Sequence, residues 1–216
     1  IALANELAKI CEKTGINAWE VIELCNKHPR VNLHQPGPGV GGHCLAIDPW
    51  FIIEKHPDLA KIIRLSRETN DSMPHHVLNR IDEILKGIKG TKRITILGIT
   101  YKPDIDDLRE SPIVKLIDLM EEKGDYDIRV YDPHVKSYKY KVNNILKAST
   151  DSDLIILAVD HSVFRTLPLD DMANVMRNKN FFDTRNFLDR DELEDKGYRY
   201  ILLGEVCEKN HVICSD

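Results

Sequence analysis

A thiol and a carboxylate follow a glycine-rich stretch, and they are the residues of this sequence best suited to chemistry. Cys44 comes directly after that stretch, and Asp48 lies four residues further on, about one turn of a helix. If a helix begins here, both side chains face the same pocket. A thiol on such a loop, near a helix N-terminus, has reason to be nucleophilic. The alternative is a buried structural cysteine beside a capping aspartate.

The glycine-rich stretch itself, QPGPGVGGH over residues 35–43, indicates a backbone with unusual demands. Its glycines could bring backbone N–H groups close to anionic or sugar oxygens. Gly37, Gly39 and Gly42 also satisfy G-x-G-x-x-G, but that dinucleotide fingerprint needs a strand before it and a helix opening inside it. Here a helical pattern lies upstream, and prolines interrupt the glycines. We therefore interpret the stretch as a ligand-contacting loop.

The sequence does not predict a metal centre or a disulfide framework. It has nine histidines and five cysteines, yet it has no H-E-x-x-H helix, no zinc-finger spacing and no C-x-x-C pair. His75 and His76 are adjacent, so they would point to different sides of a helix. We expect no metal, and we expect reduced thiols in a reducing compartment.

Composition limits the classes of partner. The 216 residues carry a formal charge of −5 and a pI near 6.0, so electrostatics give no reason to expect nucleic acid or an anionic membrane as a partner. No apolar run approaches the roughly 18 residues that a membrane span needs. We expect a cytoplasmic protein with one large domain or two small ones.

The first part of the chain has the apolar spacing of helices. A first helix ends at Gly15, and Asn17 can cap a second. Residues 29–48 read as a loop, and residues 58–86 as a long amphipathic segment that Pro74 kinks or breaks. The chain starts within the first helical pattern, so we expect a fragment that has lost its N-terminal region. The apolar positions that share one face of the first helix are Leu3, Leu7 and Ile10.

Beyond this helical part, short β-branched runs alternate with helical patterns. The runs are RITILGIT, DIRVYDP, DLIILAVD, NKNFFDT and YRYILL. Helices are predicted from Ser111, up to Lys147, from His161 and near Asp189. Asp132 is interpreted as a turn former. The alternation predicts an α/β fold with a doubly wound parallel sheet that binds ligands beyond the carboxyl ends of its strands. We expect a helical domain over residues 1–89 and a Rossmann-like domain over residues 90–216.

Four segments carry a resemblance to the UDP-glucose/GDP-mannose dehydrogenase family, and the resemblance runs over nearly the whole chain. They are LANELAKICEKTGINAWEVIE, GPGVGGHCLAIDPWF, SRETNDSMP and GITYKPDIDDLRESP. The loop is most similar to the branch that oxidises UDP-N-acetyl-D-mannosamine to its uronic acid. The UDP-glucose branch has Pro-Lys where this chain has Ala46 and Ile47, so the resemblance implies an N-acetylated sugar. UDP-glucose, galactosamine and glucosamine relatives stay open as alternatives.

The resemblance implies an enzyme that oxidises the C6 alcohol of a UDP-sugar twice, with NAD as cofactor and Cys44 as nucleophile. A thiolate converts the intermediate aldehyde to a thiohemiacetal that can donate a hydride, and water then hydrolyses the thioester. Asp48 would position or activate that water. The expected partners are therefore a UDP-sugar and, through the helical domain, further copies of the chain in a homodimer or a higher homo-oligomer.

Other residues receive roles by the same resemblance. Arg109 would complete the NAD site, and Arg30 would reach the substrate of a neighbouring subunit. The set expected to bind substrate is Arg30, Gly37, Gly39, Gly41, Gly42, His43, Tyr101, Lys102 and Arg185. The alternatives are a solvated loop arginine at position 30 and, for Lys102 and Arg109, salt bridges to the loop acids Asp104, Asp106 and Asp107.

The resemblance also implies that an NAD domain precedes residue 1, together with a catalytic Lys and Asn. We therefore expect a fragment without its N-terminal NAD domain, which binds NAD poorly and does not turn over alone. Two readings outside this activity stay open. One is a thiol hydrolase or acyltransferase that uses Cys44 with His43 or another histidine as its base, and the other is a non-catalytic nucleotide-binding module of residues 90–216.

Overall fold

Helices form the first part of the chain in a computed structural model that describes residues 1–206. Gly15 closes the first helix with a φ of 74°, and the side chain of Asn17 accepts from the N–H of Trp19 at 2.9 Å to cap the second. Both predicted signals are confirmed. None of the helices in the described residues is long and apolar enough to cross a membrane. The helices are α1 (Ala2–Thr14), α2 (Ala18–Asn26), α3 (Cys44–Lys55), α4 (Lys61–Asp71) and α5 (Met73–Ile84).

The helical part departs from prediction at one loop and one helix face. Helix α3 begins at Cys44, so the predicted loop ends earlier than residue 48. The long amphipathic segment is two helices that meet at Ser72, and Pro74 lies in the first turn of α5, where its missing N–H breaks no helical bond. Leu3 and Ile10 of α1 are 57% and 49% exposed. The face of α1 that packs is the other one, with Ala4, Asn5, Ala8 and Cys11.

A five-stranded parallel sheet follows, with strand order β2-β1-β3-β4-β5. Alternate residues of each strand enter two apolar clusters, one on each face of the sheet. The predicted α/β fold with a doubly wound sheet is confirmed. The strands are β1 (Lys92–Leu97), β2 (Tyr126–Tyr131), β3 (Leu154–Leu157), β4 (Asn180–Asp183) and β5 (Arg199–Leu202), and the helices are α6 (Pro112–Lys123), α7 (Ile145–Ser149), α8 (Leu169–Val175) and α9 (Arg190–Asp195).

Two predicted helices are shorter than expected. The chain after β2 forms turns before α7, and the Asp132 carboxylate accepts from the N–H groups of His134 and Val135 in the first of them, at 2.9 and 3.2 Å. This confirms Asp132 as a turn former. The helix predicted from His161 is a 3-10 helix over Ser162–Thr166, and α8 begins only after Pro168.

The helical part and the sheet are joined directly. The indole N–H of Trp19 donates to the carbonyl of Leu203 at 2.7 Å, and the N–H of Ala18 donates to the carbonyl of Gly204 at 2.9 Å. In return, the N–H of Gly204 donates to the carboxylate of Glu12 at 2.8 Å. These bonds fix α1 and α2 against the end of β5 and leave a cleft beyond the carboxyl ends of the strands.

Candidate active site

The cleft lies between the glycine loop and the carboxyl ends of the strands, and its volume is about 940 Å³. Lys102 follows β1 and Arg185 follows β4. Both residues therefore lie at the same edge of the sheet, because the carboxyl ends of parallel strands meet at one edge. Six of the predicted substrate residues line this cleft: Gly37, Gly39, Gly41, Tyr101, Lys102 and Arg185. Cys44 is next to Leu45, which also lines it.

The glycines allow the glycine loop to pack closely against the loop that follows β1 and the start of α6. A Cβ atom on Gly41 would lie 2.4 Å from the carbonyl oxygen of Glu110, and one on Gly39 would lie 2.7 Å from the ring of Pro112. The N–H of Gly42 donates to the carbonyl of Arg109 at 3.1 Å. The N–H of Gly37 donates to the side chain of Asn5 at 2.9 Å. The expectation that the loop offers its N–H groups to a ligand is therefore wrong for Gly37 and Gly42.

Cys44 is the first residue of α3, and its thiol is free and exposed. The alternative of a buried structural cysteine is thereby wrong. Asp48 lies one helical turn further along α3 and is also exposed. A thiolate at this position interacts favourably with the positive end of the helix dipole. His43, predicted to contact substrate, occupies the position before the helix and makes no capping bond through its side chain.

Arg109 pairs with Asp107, as the alternative for this residue expected. The Nε and Nη2 atoms of its guanidinium donate to the carboxylate of Asp107 at 2.9 and 2.6 Å, and its side chain is 68% exposed. Asp107 raises the pKa of Arg109 above its ordinary value, and smaller contributions come from Tyr101 and Cys44. Arg109 is thus a cation within electrostatic reach of the thiol.

Arg185 is a half-buried cation against the glycine loop. Its Nε donates to the carbonyl of Ala158 at 3.2 Å, and its Nη1 is so near Gly37 that a Cβ there would lie 2.8 Å away. Burial lowers the pKa of Arg185, and the nearby carboxylates of Asp160 and Asp183 oppose that shift. Its charge is therefore held in place beside the cleft.

Lys102 and Arg30 have few constraints on their side chains. Lys102 is exposed, and its backbone carbonyl accepts from the hydroxyl of Thr100 at 2.8 Å. Arg30 is exposed in the loop after α2 and lies outside the residues that line the cleft. The structure therefore brings Lys102 to the cleft and leaves Arg30 apart from it.

Sequence reasoning missed the buried polar residues that hold the glycine loop and the start of α3. Asn5 stands on the packed face of α1 between Ala4 and Ala8, and a polar residue at an apolar helical position was the signal that could have revealed it. Arg67 and Asn70 are buried polar residues on α4. Arg67 donates to the carbonyl of Leu45 at 3.0 Å.

A second missed cluster lies behind the loop that follows β1, where one ligand atom each from Asp104, His134 and His161 lies within 4.8 Å of the others. Both ring nitrogens of His161 are already engaged. One accepts from the N–H of Asp104 at 2.9 Å, and the other lies 3.1 Å from the carboxylate of Asp132. We interpret this cluster as a hydrogen-bonded support for the loop that carries Lys102.

Comparison with known proteins gives this architecture a family. Models of the UDP-glucose/GDP-mannose dehydrogenase family match residues 1–72 with the central domain and residues 95–190 with the UDP binding domain. The chain is 44% identical over 208 residues to a UDP-N-acetyl-D-mannosamine dehydrogenase of Methanocaldococcus jannaschii, covering 95% of the chain and 48% of that protein. It is 43% identical over 175 residues to an NDP-N-acetyl-D-galactosaminuronic acid dehydrogenase of Ralstonia nicotianae, covering 79% of the chain and 41% of that protein.

A solved structure agrees with these relatives. The UDP-N-acetyl-mannosamine dehydrogenase Cap5O of Staphylococcus aureus superposes with a TM-score of 0.83 at 43% identity, covering 94% of this chain and 47% of that one. The chain therefore spans about half the length of the relatives it matches. With a free thiol at the start of α3, a cleft at the strand ends and both family models matched in order, the chain is a member of the UDP-glucose/GDP-mannose dehydrogenase family.

Proposed function

We propose that this chain carries the thiol and the nucleotide-sugar site of an NAD-dependent enzyme that oxidises the C6 alcohol of a UDP-N-acetylhexosamine to the uronic acid. The observation that carries the proposal is the exposed thiol of Cys44 at the N-terminus of α3, beside a cleft with cations at its edge. The chain divides in this scheme into a helical central domain, residues 1–89, and a UDP-sugar-binding domain, residues 90–216.

The aldehyde formed in the first oxidation cannot readily be oxidised again without Cys44. The aldehyde carbon is trigonal and has no good route to the loss of a second hydride. The Cys44 sulfur adds to that carbon, and the carbonyl oxygen takes up a proton, which gives a tetrahedral thiohemiacetal. Loss of a hydride and the hydroxyl proton leaves a thioester, and water then releases the acid and the thiol. Asp48, one turn along α3, positions or activates this water.

The substrate diphosphate is assigned to Lys102 and Arg185. Two cations at one edge of the sheet suit two phosphate groups, and the planar guanidinium of Arg185 is held by the Ala158 carbonyl. Tyr101 lines the same cleft. Because the N–H groups of Gly37 and Gly42 are already bonded within the chain, side chains rather than these amides bind the anion.

NAD, when bound, accepts the hydride released in each oxidation. In the described residues Arg109 is the side chain assigned to it, and an exposed cation near Cys44 suits a pyrophosphate. Gly98 follows β1 directly, without the glycine triplet of a dinucleotide fingerprint. The remaining contacts to NAD would have to come from outside the described residues, so we expect this chain by itself to bind NAD poorly and to be inactive.

The proposed sugar is UDP-N-acetyl-D-mannosamine. Relatives named for N-acetylated mannosamine and galactosaminuronic acid support an N-acetylated substrate, and so do Ala46 and Ile47 in the first turn of α3, where the UDP-glucose branch has Pro-Lys. UDP-N-acetylgalactosamine, UDP-N-acetylglucosamine and UDP-glucose are the competing substrates.

A homodimer through the helical part belongs to the same proposal. Large apolar side chains of α3, α4 and their connection are exposed, which favours burial against another surface. Arg30, which lies apart from the cleft of its own chain, would then contact the substrate of the neighbouring subunit. We also propose a cytoplasmic location, since Cys11, Cys25 and Cys44 are free thiols. The exposed apolar residues are Leu45, Trp50, Phe51, Ile52, Leu59, Ile62, Ile63 and Leu65.

One experiment tests the activity. The complete gene product is incubated with NAD+ and each of the four UDP-sugars, and NADH formed per sugar consumed is counted. We expect two NADH per UDP-N-acetyl-D-mannosamine, and we expect Cys44→Ala to form no acid. Two NADH per sugar from Cys44→Ala would remove the thiol mechanism, and no NADH with any sugar would remove the activity. Thioester turnover without NAD+ would favour the thiol hydrolase.

A further inference from the structure

Pro49 leaves a carbonyl without its helical partner next to the proposed nucleophile. It lies inside α3, four residues after Leu45. In an α-helix the N–H of residue 49 would donate to the carbonyl of residue 45, but proline has no N–H. The Leu45 carbonyl therefore needs a donor from elsewhere, and Arg67 of α4 provides it through Nη1 at 3.0 Å.

Arg67 is held in the orientation that this contact needs. Its side chain is 5% exposed, and its Nη2 donates to the carboxylate of Asp71, one turn further along α4. A guanidinium presents its donors in a rigid plane, so the bond to Asp71 fixes the direction in which Nη1 points. Arg67 thus supplies the hydrogen-bond donor that Pro49 lacks.

A second pair of residues holds the other end of the loop. Asn5, fully buried in α1, accepts from the N–H of Gly37 and donates to the side chain of Asn70, each at 2.9 Å. Asn70 lies three residues after Arg67, so both are on one side of α4. Residues 37–45 are therefore fixed to α4 at both ends.

We propose that Arg67 is a positioning residue for Cys44, supported at the far end of the loop by Asn5 and Asn70. It keeps the first turn of α3 closed, which directs the helix dipole at the thiol and holds Asp48 one turn away. The proposal rests on the proposed function only in treating Cys44 as the nucleophile. Without the Arg67 donor, the first turn frays and the helix dipole no longer favours the thiolate, so Cys44 becomes less reactive. Fraying brings no compensating gain in access, because the thiol is already exposed.

Variants of Arg67 and Pro49 separate this role from general stability. Arg67→Met removes the donor, and Arg67→Met with Pro49→Ala returns an N–H to the Leu45 carbonyl from within the helix. Glu68→Gln, an exposed neighbour on α4, is the control. Alkylation of Cys44 by iodoacetamide is followed by mass spectrometry of its peptide, which needs neither NAD nor substrate. We expect alkylation about fivefold slower in Arg67→Met, mostly restored in the double variant and unchanged in the control.

The result that overturns the proposal is equally specific. If Arg67 only stabilises α4, both Met variants alkylate alike, and Pro49→Ala restores nothing. Unchanged alkylation in a folded Arg67→Met overturns it too. Should that variant not fold, Arg67→Lys with and without Pro49→Ala gives the same comparison.

Turnover adds a second readout. In the complete gene product we expect Arg67→Met to lower kcat with little change in KM, and Pro49→Ala to restore kcat. A loss confined to KM would contradict the positioning role. If Cys44→Ala still makes acid, the proposed function fails, while the alkylation series still decides the role of Arg67.

Discussion

The N–H of Gly42 donates to the carbonyl oxygen of Arg109 at 3.1 Å. This bond joins the loop that presents the thiol to the loop that follows β1. Beside it, Gly41 approaches the backbone of Glu110 so closely that no side chain fits between them. The two loops are consequently one packed unit, and the testable consequences begin there.

Gly41→Ala should destabilise the chain by about 1–3 kcal/mol, the usual cost of overpacking. The added Cβ would lie 2.4 Å from the carbonyl oxygen of Glu110, and a backbone atom cannot swing aside. Thermal unfolding followed by circular dichroism measures the change. Gly37→Ala is the matched control, because its Cβ would meet the guanidinium of Arg185, a side-chain end that one hydrogen bond to Ala158 anchors and that can shift where the Glu110 backbone cannot. Equal losses in the two variants would contradict the packing argument.

Asp48→Asn should separate oxidation from hydrolysis in the complete gene product. An amide cannot accept the proton of the attacking water, so we expect thioester hydrolysis to slow by about a hundredfold. An acyl group should then accumulate on Cys44 and appear as added mass on its peptide. Glu54→Gln, exposed on the same helix, should behave as wild type. Slow turnover with no acyl-Cys44 would assign Asp48 to an earlier step.

Lys102→Met should weaken the binding of UDP to this chain by about tenfold or more, because a charge-assisted contact to phosphate is lost. Isothermal titration calorimetry with UDP measures the change. Lys89→Met removes an equal charge just before β1, at the opposite end of the sheet, and should leave affinity unaltered. Equal affinities for both variants would place the diphosphate elsewhere.

Asp153 should make stability fall in acid. Its burial opposes ionisation, yet hydrogen bonds from Arg177, the N–H of Arg93 and Asn178 outweigh this and hold the pKa of Asp153 below its ordinary value. A carboxyl whose pKa is lowered by folding contributes stability above its unfolded value of about 3.9, and that contribution is lost as the pH falls through the folded pKa.

The variant Asp153→Asn tests this sign. We expect it to cost about 2 kcal/mol near pH 7 and progressively less below pH of about 4, as measured by urea unfolding across pH. Asp58→Asn, exposed in the connection before α4, is the control. A cost that stays constant from neutral to acid pH would show that the charge of Asp153 contributes nothing.

Local signals were enough to predict most elements. Gly15 and Asn17 mark the end and start of consecutive helices through their own backbone and side chain. Pro74 predicted a kink or a break in the long segment, and the structure has a break, with Pro74 in the first turn of α5, where a proline is tolerated. The apolar β-branched runs gave all five strands of the described sheet.

Contacts between distant segments could not be predicted from the sequence. Asn5 bonds to Gly37 across 32 residues and to Asn70 across 65, and no periodicity encodes such a pairing. The same holds for Arg67, whose partner carbonyl belongs to a different helix. Residues 134–144 were predicted as helical, yet the N–H of Val142 donates to the carbonyl of Val130 in β2 at 2.8 Å, a contact between segments that no helical period encodes.

Clamping the thiol loop to the loop after β1 has a mechanical consequence. Cys44 cannot shift relative to Tyr101 unless Gly41 parts from Glu110 and Gly42 releases Arg109. In the proposed enzyme, a nucleotide that draws the end of β1 inward would therefore move the sulfur with it, so binding of the diphosphate would be coupled to the position of the thiol.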